Sequence, residues 1–122
     1  MSSLIMLKSK LHNATVTASE PDYEGSLKID IALMEAVKLR PYEKILVANL
    51  ANGNRFETYT IPAERGSGTI GLNGATCFLG KVGDRIIIFS FCHVTEEEAI
   101  CHKPLILVLD RNNKPTGPLK QT

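Results

Sequence analysis

Short runs of apolar and β-branched residues recur along the chain, separated by clusters of turn-forming residues. Residues 4–11 form the first run, and residues 14–18 carry β-branched residues in alternation before a turn at 19–22. The most apolar run, residues 85–91, is expected to form a central strand covered on both faces. With six or seven short strands, the pattern predicts an all-β fold, a closed or nearly closed barrel.

A hairpin is predicted in the middle of the chain. Residues 44–50 form one strand, residues 55–61 form the return strand, and the Asn-Gly pair at 52–53 accepts the positive φ of a tight turn. Strict alternation places Thr58 on one face of the return strand. The opposite face carries Arg55, Glu57, Tyr59 and Ile61. This second face is either part of a site or a solvated face with a packed tyrosine.

Two short helical segments are predicted between the strands. Asp30 is a good N-cap for a helix over residues 31–38, and Pro41 ends it because the residue before a proline avoids the α region. Residues 95–98 have the spacing of a capping box. Their acidic run is interpreted as a solvated first turn favoured by the helix dipole, not as a metal cluster.

Length and charge limit the function classes. The 122 residues, 43% of them hydrophobic, form one domain, 1–122, that can bury a core. A formal net charge of +1 selects neither nucleic acid nor an anionic membrane as partner. No apolar run approaches the roughly 20 residues that span a bilayer, and the first residues lack a basic n-region. A cytoplasmic location is expected by default.

Two Cys-His pairs raise a metal-binding alternative. Cys92-His93 and Cys101-His102 are adjacent in the chain, but they fit none of the usual paired-ligand spacings. Three cysteines are an odd number, so reduced thiols are expected. Phosphate-binding loops, nucleophile elbows, zinc helices and dinucleotide fingerprints do not occur. No metal is therefore predicted, and composition and spacing alone leave the function open.

Six motifs in a fixed order narrow the function. They are Lys10-Leu11-His12, Tyr23-Glu24-Gly25-Ser26, and the segments 52–59, 63–67, 73–75 and 82–84. With this order and spacing the chain closely resembles the pyruvoyl-dependent aspartate decarboxylase family, from about residue 8 to residue 98. The resemblance implies a double-psi β-barrel, a homotetramer, and conversion of L-aspartate to β-alanine for pantothenate synthesis.

The resemblance also implies self-cleavage of a precursor between Gly25 and Ser26. The products would be residues 1–25 and 26–122, with Ser26 converted to a covalent pyruvoyl cofactor. The Ser26 hydroxyl would attack the Gly25 carbonyl, and backbone strain at Gly25 is expected to help drive this step. The pyruvoyl carbonyl would then form a Schiff base with the substrate amine and accept the electrons released with CO₂.

The same resemblance assigns the remaining site residues. Ser26 and Tyr59 are catalytic, with Tyr59 as proton donor, and Thr58 is linked to the cleavage. Arg55 is implied to clamp a substrate carboxylate, with Lys10 as a second cation. The implied substrate-binding residues are Lys10, Arg55, Thr58, Asn73, Gly74, Ala75 and Thr76, with His12 and Tyr23 lining the site. Because alternation separates Thr58 from Arg55 and Tyr59, a bulge or a strand end is expected to reconcile them.

Some positions depart from the family pattern. Many members have an aromatic residue where this chain has Val47-Ala48-Asn49, and Leu27 and Thr76 replace smaller or differently branched residues. These departures affect the expected substrate affinity and cleavage rate. The alternative is a barrel that keeps the fold as a binding module without maturing. The requirement for a maturation factor stays open, and the tail of residues 112–122 is expected to be flexible.

Overall fold

The computed structural model describes residues 3–121, which form eight strands, two short α-helices and one 3-10 helix. The strands are β1 Ser3–Thr15, β2 Ala18–Glu20, β3 Ser26–Asp30, β4 Lys44–Asn49, β5 Arg55–Ala63, β6 Ile70–Asn73, β7 Arg85–Thr95 and β8 Leu105–Val108. The helices are α1 Ile31–Ala36 and α2 Glu96–Ile100, and the 3-10 helix is Gly74–Phe78.

All eight strands belong to one sheet in the order β2-β6-β3-β5-β4-β7-β1-β8. The pairs β1–β8, β2–β6 and β3–β5 are parallel, and the other neighbours are antiparallel. The predicted all-β, barrel-like class is confirmed. The predicted number of six or seven strands is wrong, because the short β2 adds its own ladder beside β6.

The first two predicted strands are in fact one long strand. β1 runs through residues 12 and 13, and its register against β7 shifts twice, between Leu7 and Ser9 and between Leu11 and Ala14. Asn13 adopts a φ of 66°, a left-handed conformation that Asn tolerates better than most residues. The strand therefore bends through a bulge instead of ending.

β7 is central, but it is not covered on both faces. It lies between β4 and β1, as expected for the most apolar run. Ile86, Ile88 and Ser90 are buried, whereas the residues between them are only half-buried. Phe89 thus faces outward, and the prediction of a doubly covered strand is wrong.

Both helix starts were predicted correctly. Asp30 caps α1 by accepting from the Ala32 backbone N–H at 2.9 Å, and Thr95 and Glu98 form a complete capping box on α2. α1 ends at Ala36, however, two residues before the predicted end. Lys38 adopts a φ of 59°, so the helix ends in a left-handed residue before Pro41 can act.

The inner side of the sheet encloses a single hydrophobic core. Its largest fully buried side chains are Leu11, Leu27, Ile29, Met34, Ile45, Ile70, Leu72, Ile86, Ile88 and Leu109. The chain after β8 folds back on that strand, with two hydrogen bonds between Ile106 and Lys120. The predicted flexibility of the tail stays a prediction. No helix within residues 3–121 is long and apolar enough to cross a lipid bilayer.

Candidate active site

Ser26 begins β3 and is completely buried. β3 pairs antiparallel with β6, and the register sets Ser26 opposite Asn73. The side-chain amide of Asn73 donates to Ser26 Oγ at 3.0 Å, and Asn73 is buried as well. Since a hydroxyl has one proton and two lone pairs, this bond fixes the oxygen and leaves its proton available to another acceptor.

Gly74 packs directly against the backbone that precedes Ser26. A Cβ at Gly74 would lie 2.8 Å from Gly25 N, 2.8 Å from Tyr23 O and 2.9 Å from Gly25 Cα. Its φ is +63°, which also favours glycine. No other residue type fits this position without moving the segment of residues 23–25.

Thr76 holds the same region from the other side. Its Oγ1 donates to the Asn73 carbonyl at 2.8 Å, and its side chain is buried, whereas Ala75 is exposed. Asn73 ends β6, and the next residues begin the 3-10 helix.

Gly25 is not among the glycines that adopt a left-handed backbone. The glycines with positive φ are Gly53, Gly66, Gly68, Gly74 and Gly83. A Cβ at Gly25 would meet no atom within 4 Å. The backbone strain expected at Gly25 stays a prediction, and no left-handed φ accounts for it. The tight requirement for glycine lies at Gly74, which supports the Gly25 backbone.

β5 carries Arg55 and Tyr59 on one face and Thr58 on the other. The β4–β5 ladder keeps one register from Ala48 opposite Arg55 to Lys44 opposite Tyr59, so β5 has no bulge there. Arg55 and Tyr59 are exposed, whereas Thr58 is half-buried on the inner face. The expected bulge or strand end is wrong on both counts, because Thr58 lies within β5 and not at its end. Thr58 is not placed on the same face as Arg55 and Tyr59.

A second group of candidate residues lies on the outer face of the sheet. Lys10 Nζ lies 5.6 Å from the centroid of the Phe89 ring, and Arg55 Cζ lies 5.7 Å from the same centroid. Lys10 is the cross-strand partner of Phe89. Phe89 could not be identified as a site residue from the sequence, because a phenylalanine in an apolar run is typical of a core residue. Only the pairing of β7 with β1 reveals it.

The two groups are separated along β5. Leu27 pairs with Thr60 in a parallel ladder, so Ser26 is level with Tyr59, four residues beyond Arg55. At about 3.3 Å per residue, this separation is about 13 Å along the strand. Ser26, Asn73, Gly74 and Thr76 therefore form one group, and Lys10, Arg55 and Phe89 form another.

His12 lies two residues beyond Lys10 on β1. Its Nδ1 atom is buried and has no hydrogen-bond partner among residues 3–121. Burial, followed by the positive charges of Lys10, Arg85 and Lys120, lowers the pKa of His12 below its ordinary value of 6.5. The imidazole is therefore neutral at pH 7.

Tyr23 and the two Cys-His pairs lie outside both groups of site residues. Tyr23 is 58% exposed, and Lys28 Nζ lies 5.6 Å from the centroid of its ring. His102 Nε2 contacts the Leu7 carbonyl at 2.6 Å. Within the described part of the chain, no three His, Cys, Asp or Glu side chains are grouped as metal ligands. The Cys-His pairs thus gain no further ligand from the fold.

The family profile and the relatives that match this chain all belong to the aspartate decarboxylases. The profile of the aspartate decarboxylase family matches residues 2–116 of the chain. An aspartate 1-decarboxylase from Chlorobium limicola is 51% identical over 112 residues, which cover 92% of this chain and 88% of the relative. The enzyme of the same name from Caldicellulosiruptor saccharolyticus is 53% identical over 109 residues, 89% of this chain and 85% of that protein. The aspartate 1-decarboxylase from Thermoanaerobacter pseudethanolicus is 51% identical over 112 residues, which cover 92% of this chain and 96% of that protein.

Proposed function

Because the chain belongs to the aspartate decarboxylase family, we propose that it converts L-aspartate to β-alanine and CO₂ in the cytoplasm, as a step of pantothenate synthesis. The observation that carries this proposal is the buried hydrogen bond from Asn73 to the hydroxyl of Ser26, directly after Gly25. It holds a serine oxygen beside the peptide bond that self-cleavage requires.

The cleavage makes the reactive group from the chain itself. Ser26 Oγ bonds to the Gly25 carbonyl carbon, the C–N bond breaks, and the hydroxyl proton moves to the released nitrogen. Loss of the Ser26 Cα proton and of the Cβ–Oγ bond then releases Gly25 as a carboxylate. Water replaces the nitrogen of the remaining dehydroalanine and ammonia leaves, which gives a pyruvoyl group on the chain of residues 26–122.

The surroundings of Ser26 fit a group made at this position. The residue is fully buried, and Gly74 presents no side chain toward the segment of residues 23–25. Asn73 would hold the group, with its own backbone fixed by Thr76. The pyruvoyl group supplies an electron sink for the pair that CO₂ leaves behind. Thr58, half-buried on β5, serves the cleavage step in this proposal.

The group of Lys10, Arg55 and Phe89 on the outer face binds the substrate, and Tyr59 protonates it. Arg55 and Lys10 neutralise a substrate carboxylate, and the planar guanidinium of Arg55 binds it through two hydrogen bonds. Tyr59, on the same face of β5 as Arg55, donates a proton to the carbon that loses CO₂. His12 is neutral at pH 7 and adds no third positive charge beside Lys10.

We propose that the active protein is a homotetramer. The separation of about 13 Å along β5 exceeds the length of one aspartate molecule. Assembly can bring the outer group of one copy to the Ser26 end of another. The outer face also exposes apolar side chains that a second copy would cover, with Ile5 67% and Phe91 44% exposed.

The test is a comparison of wild type with Ser26→Ala. Denaturing mass spectrometry of wild type is expected to show a fragment that begins at position 26, and the protein is expected to release CO₂ from L-aspartate. Ser26→Ala should stay uncut and inactive, and its far-ultraviolet circular dichroism spectrum should be unchanged. A wild-type chain that stays whole after warm incubation and releases no CO₂ would defeat the proposal, and an unfolded Ser26→Ala would make Ser26 structural.

A further inference from the structure

Phe89 contacts two positive side chains that come from different strands. Lys10 Nζ and Arg55 Cζ lie 5.6 and 5.7 Å from the centroid of its ring. A cation within about 6 Å of an aromatic centroid is attracted by the quadrupole of the ring. One ring thus attracts two groups that repel each other.

The strand between Arg55 and this ring has a small side chain at the position that pairs with Arg55. β4 separates β5 from β7, so the two strands lie roughly 10 Å apart. The residue of β4 that pairs with Arg55 is Ala48, and Phe89 pairs with Leu46. The methyl group of Ala48 leaves space for the Arg55 side chain to lie across β4.

We propose that Phe89 is a positioning residue of the carboxylate-binding group, which holds Lys10 and Arg55 together before a dicarboxylate ligand binds. This inference rests on the proposed function, in which these two cations bind a substrate carboxylate. Phe89 also gives the chain an aromatic ring near the segment 47–49, where many members of the family have an aromatic residue. Phe89 supplies an aromatic ring to Arg55 from the next strand.

The effect of the ring is on binding and not on the chemical step. Arg and Lys side chains are long and flexible, and ordering them when a ligand binds reduces affinity. A ring that orders them beforehand removes part of that cost. Its loss is expected to raise KM about fivefold, which corresponds to about 1 kcal/mol, the scale of an exposed cation–π contact.

Three variants at one position separate the ring from its bulk. Phe89→Leu and Phe89→Met remove the ring and keep an apolar side chain, and Phe89→Tyr keeps the ring face as the matched control. KM and kcat for L-aspartate are measured on fully cleaved protein. Calorimetric binding of succinate, a dicarboxylate without an amine, is measured on the same preparations and does not depend on turnover.

The ringless variants should raise KM and weaken succinate binding about fivefold, with kcat within about twofold of wild type. Phe89→Tyr should resemble wild type in both assays. Unchanged succinate binding in Phe89→Leu and Phe89→Met would overturn the inference, as would a Phe89→Tyr variant as weak as Phe89→Leu. A wild-type protein that binds succinate but never cleaves would defeat the proposed function. The role of Phe89 would then still be decided by the succinate affinities of the variants.

Discussion

Replacing Gly74 by alanine tests whether this residue supports the cleavage segment. The new Cβ would lie 2.8 Å from Gly25 N and from Tyr23 O, closer than real Cβ contacts occur, and both atoms belong to the backbone. Those atoms, or the 3-10 helix, must therefore move by several tenths of an ångström. Such a shift separates the Gly25 carbonyl from Ser26 Oγ, which Asn73 holds in place.

The size of the effect follows from two separate costs. A left-handed φ costs a non-glycine residue about 1–2 kcal/mol. Overpacking against backbone adds about 1–3 kcal/mol. Gly53 offers a matched control, because its φ is +77° but a Cβ there would meet no atom within 4 Å. Gly74→Ala should thus lower the free energy of unfolding by about 2–5 kcal/mol, against about 1–2 kcal/mol for Gly53→Ala.

Stability is best measured in the Ser26→Ala background, where every chain stays whole and unfolding by urea compares the same covalent species. Cleavage is then followed by intact mass in the background that retains Ser26. Gly74→Ala is expected to slow cleavage at least about tenfold, because small misplacements of reacting groups are costly. Gly53→Ala should cleave like wild type. Equal stability and equal cleavage rates in the two alanine variants would refute the role of Gly74.

Three further predictions concern single side chains. Tyr59→Phe should cleave normally but decarboxylate slowly, as measured by mass and by CO₂ release; wild-type turnover would exclude its role as proton donor. The pKa of Asp30 lies below its ordinary value. Burial raises this pKa, but hydrogen bonds from the backbone N–H groups of Gly68, Ala32 and Gly66, together with the charge of Arg65, lower it by more than burial raises it. Its stabilisation is therefore complete above about pH 4 and is lost as the pH falls through the folded-state pKa. Asp30→Asn should cost about 1.5–3 kcal/mol at pH 7 and much less at pH 2.5, in urea titrations at the two pH values. His12 has a lowered pKa, so folding favours its neutral form and stability should fall as the pH drops below about 6.5; His12→Gln should lose less stability between pH 7 and pH 5, and an equal loss would contradict this reasoning.

Local features of the fold could be read from the sequence. The cap at Asp30 and the capping box at Thr95 depend on residues two or three positions apart, and both occur in the structure. The alternation of β5 was also predicted, with Thr58 opposite Arg55 and Tyr59. These features need no knowledge of which strands become neighbours.

The pairing of distant strands could not be read in the same way. Periodicity shows which side of a strand is apolar, but the neighbours of that strand depend on the path of the whole chain. The contact of Phe89 with Lys10 needs the antiparallel pairing of β1 and β7, and its contact with Arg55 runs across β4, where Ala48 pairs with Arg55. The requirement for glycine at position 74 likewise arises from the contact between the 3-10 helix and the segment before Ser26, which the sequence does not reveal.

The position of β1 in the sheet sets an order of events for the proposed maturation. β1 lies between β7 and β8, and β2 lies beside β6, so residues before the cleavage point supply strands inside and at the edge of the sheet. A cut after residue 25 leaves this fragment held by its ladders. Refolding the cut protein, however, requires two separate chains to meet, so its yield should depend on concentration. Folding must therefore precede cleavage, and the uncut precursor is the form that can be refolded efficiently.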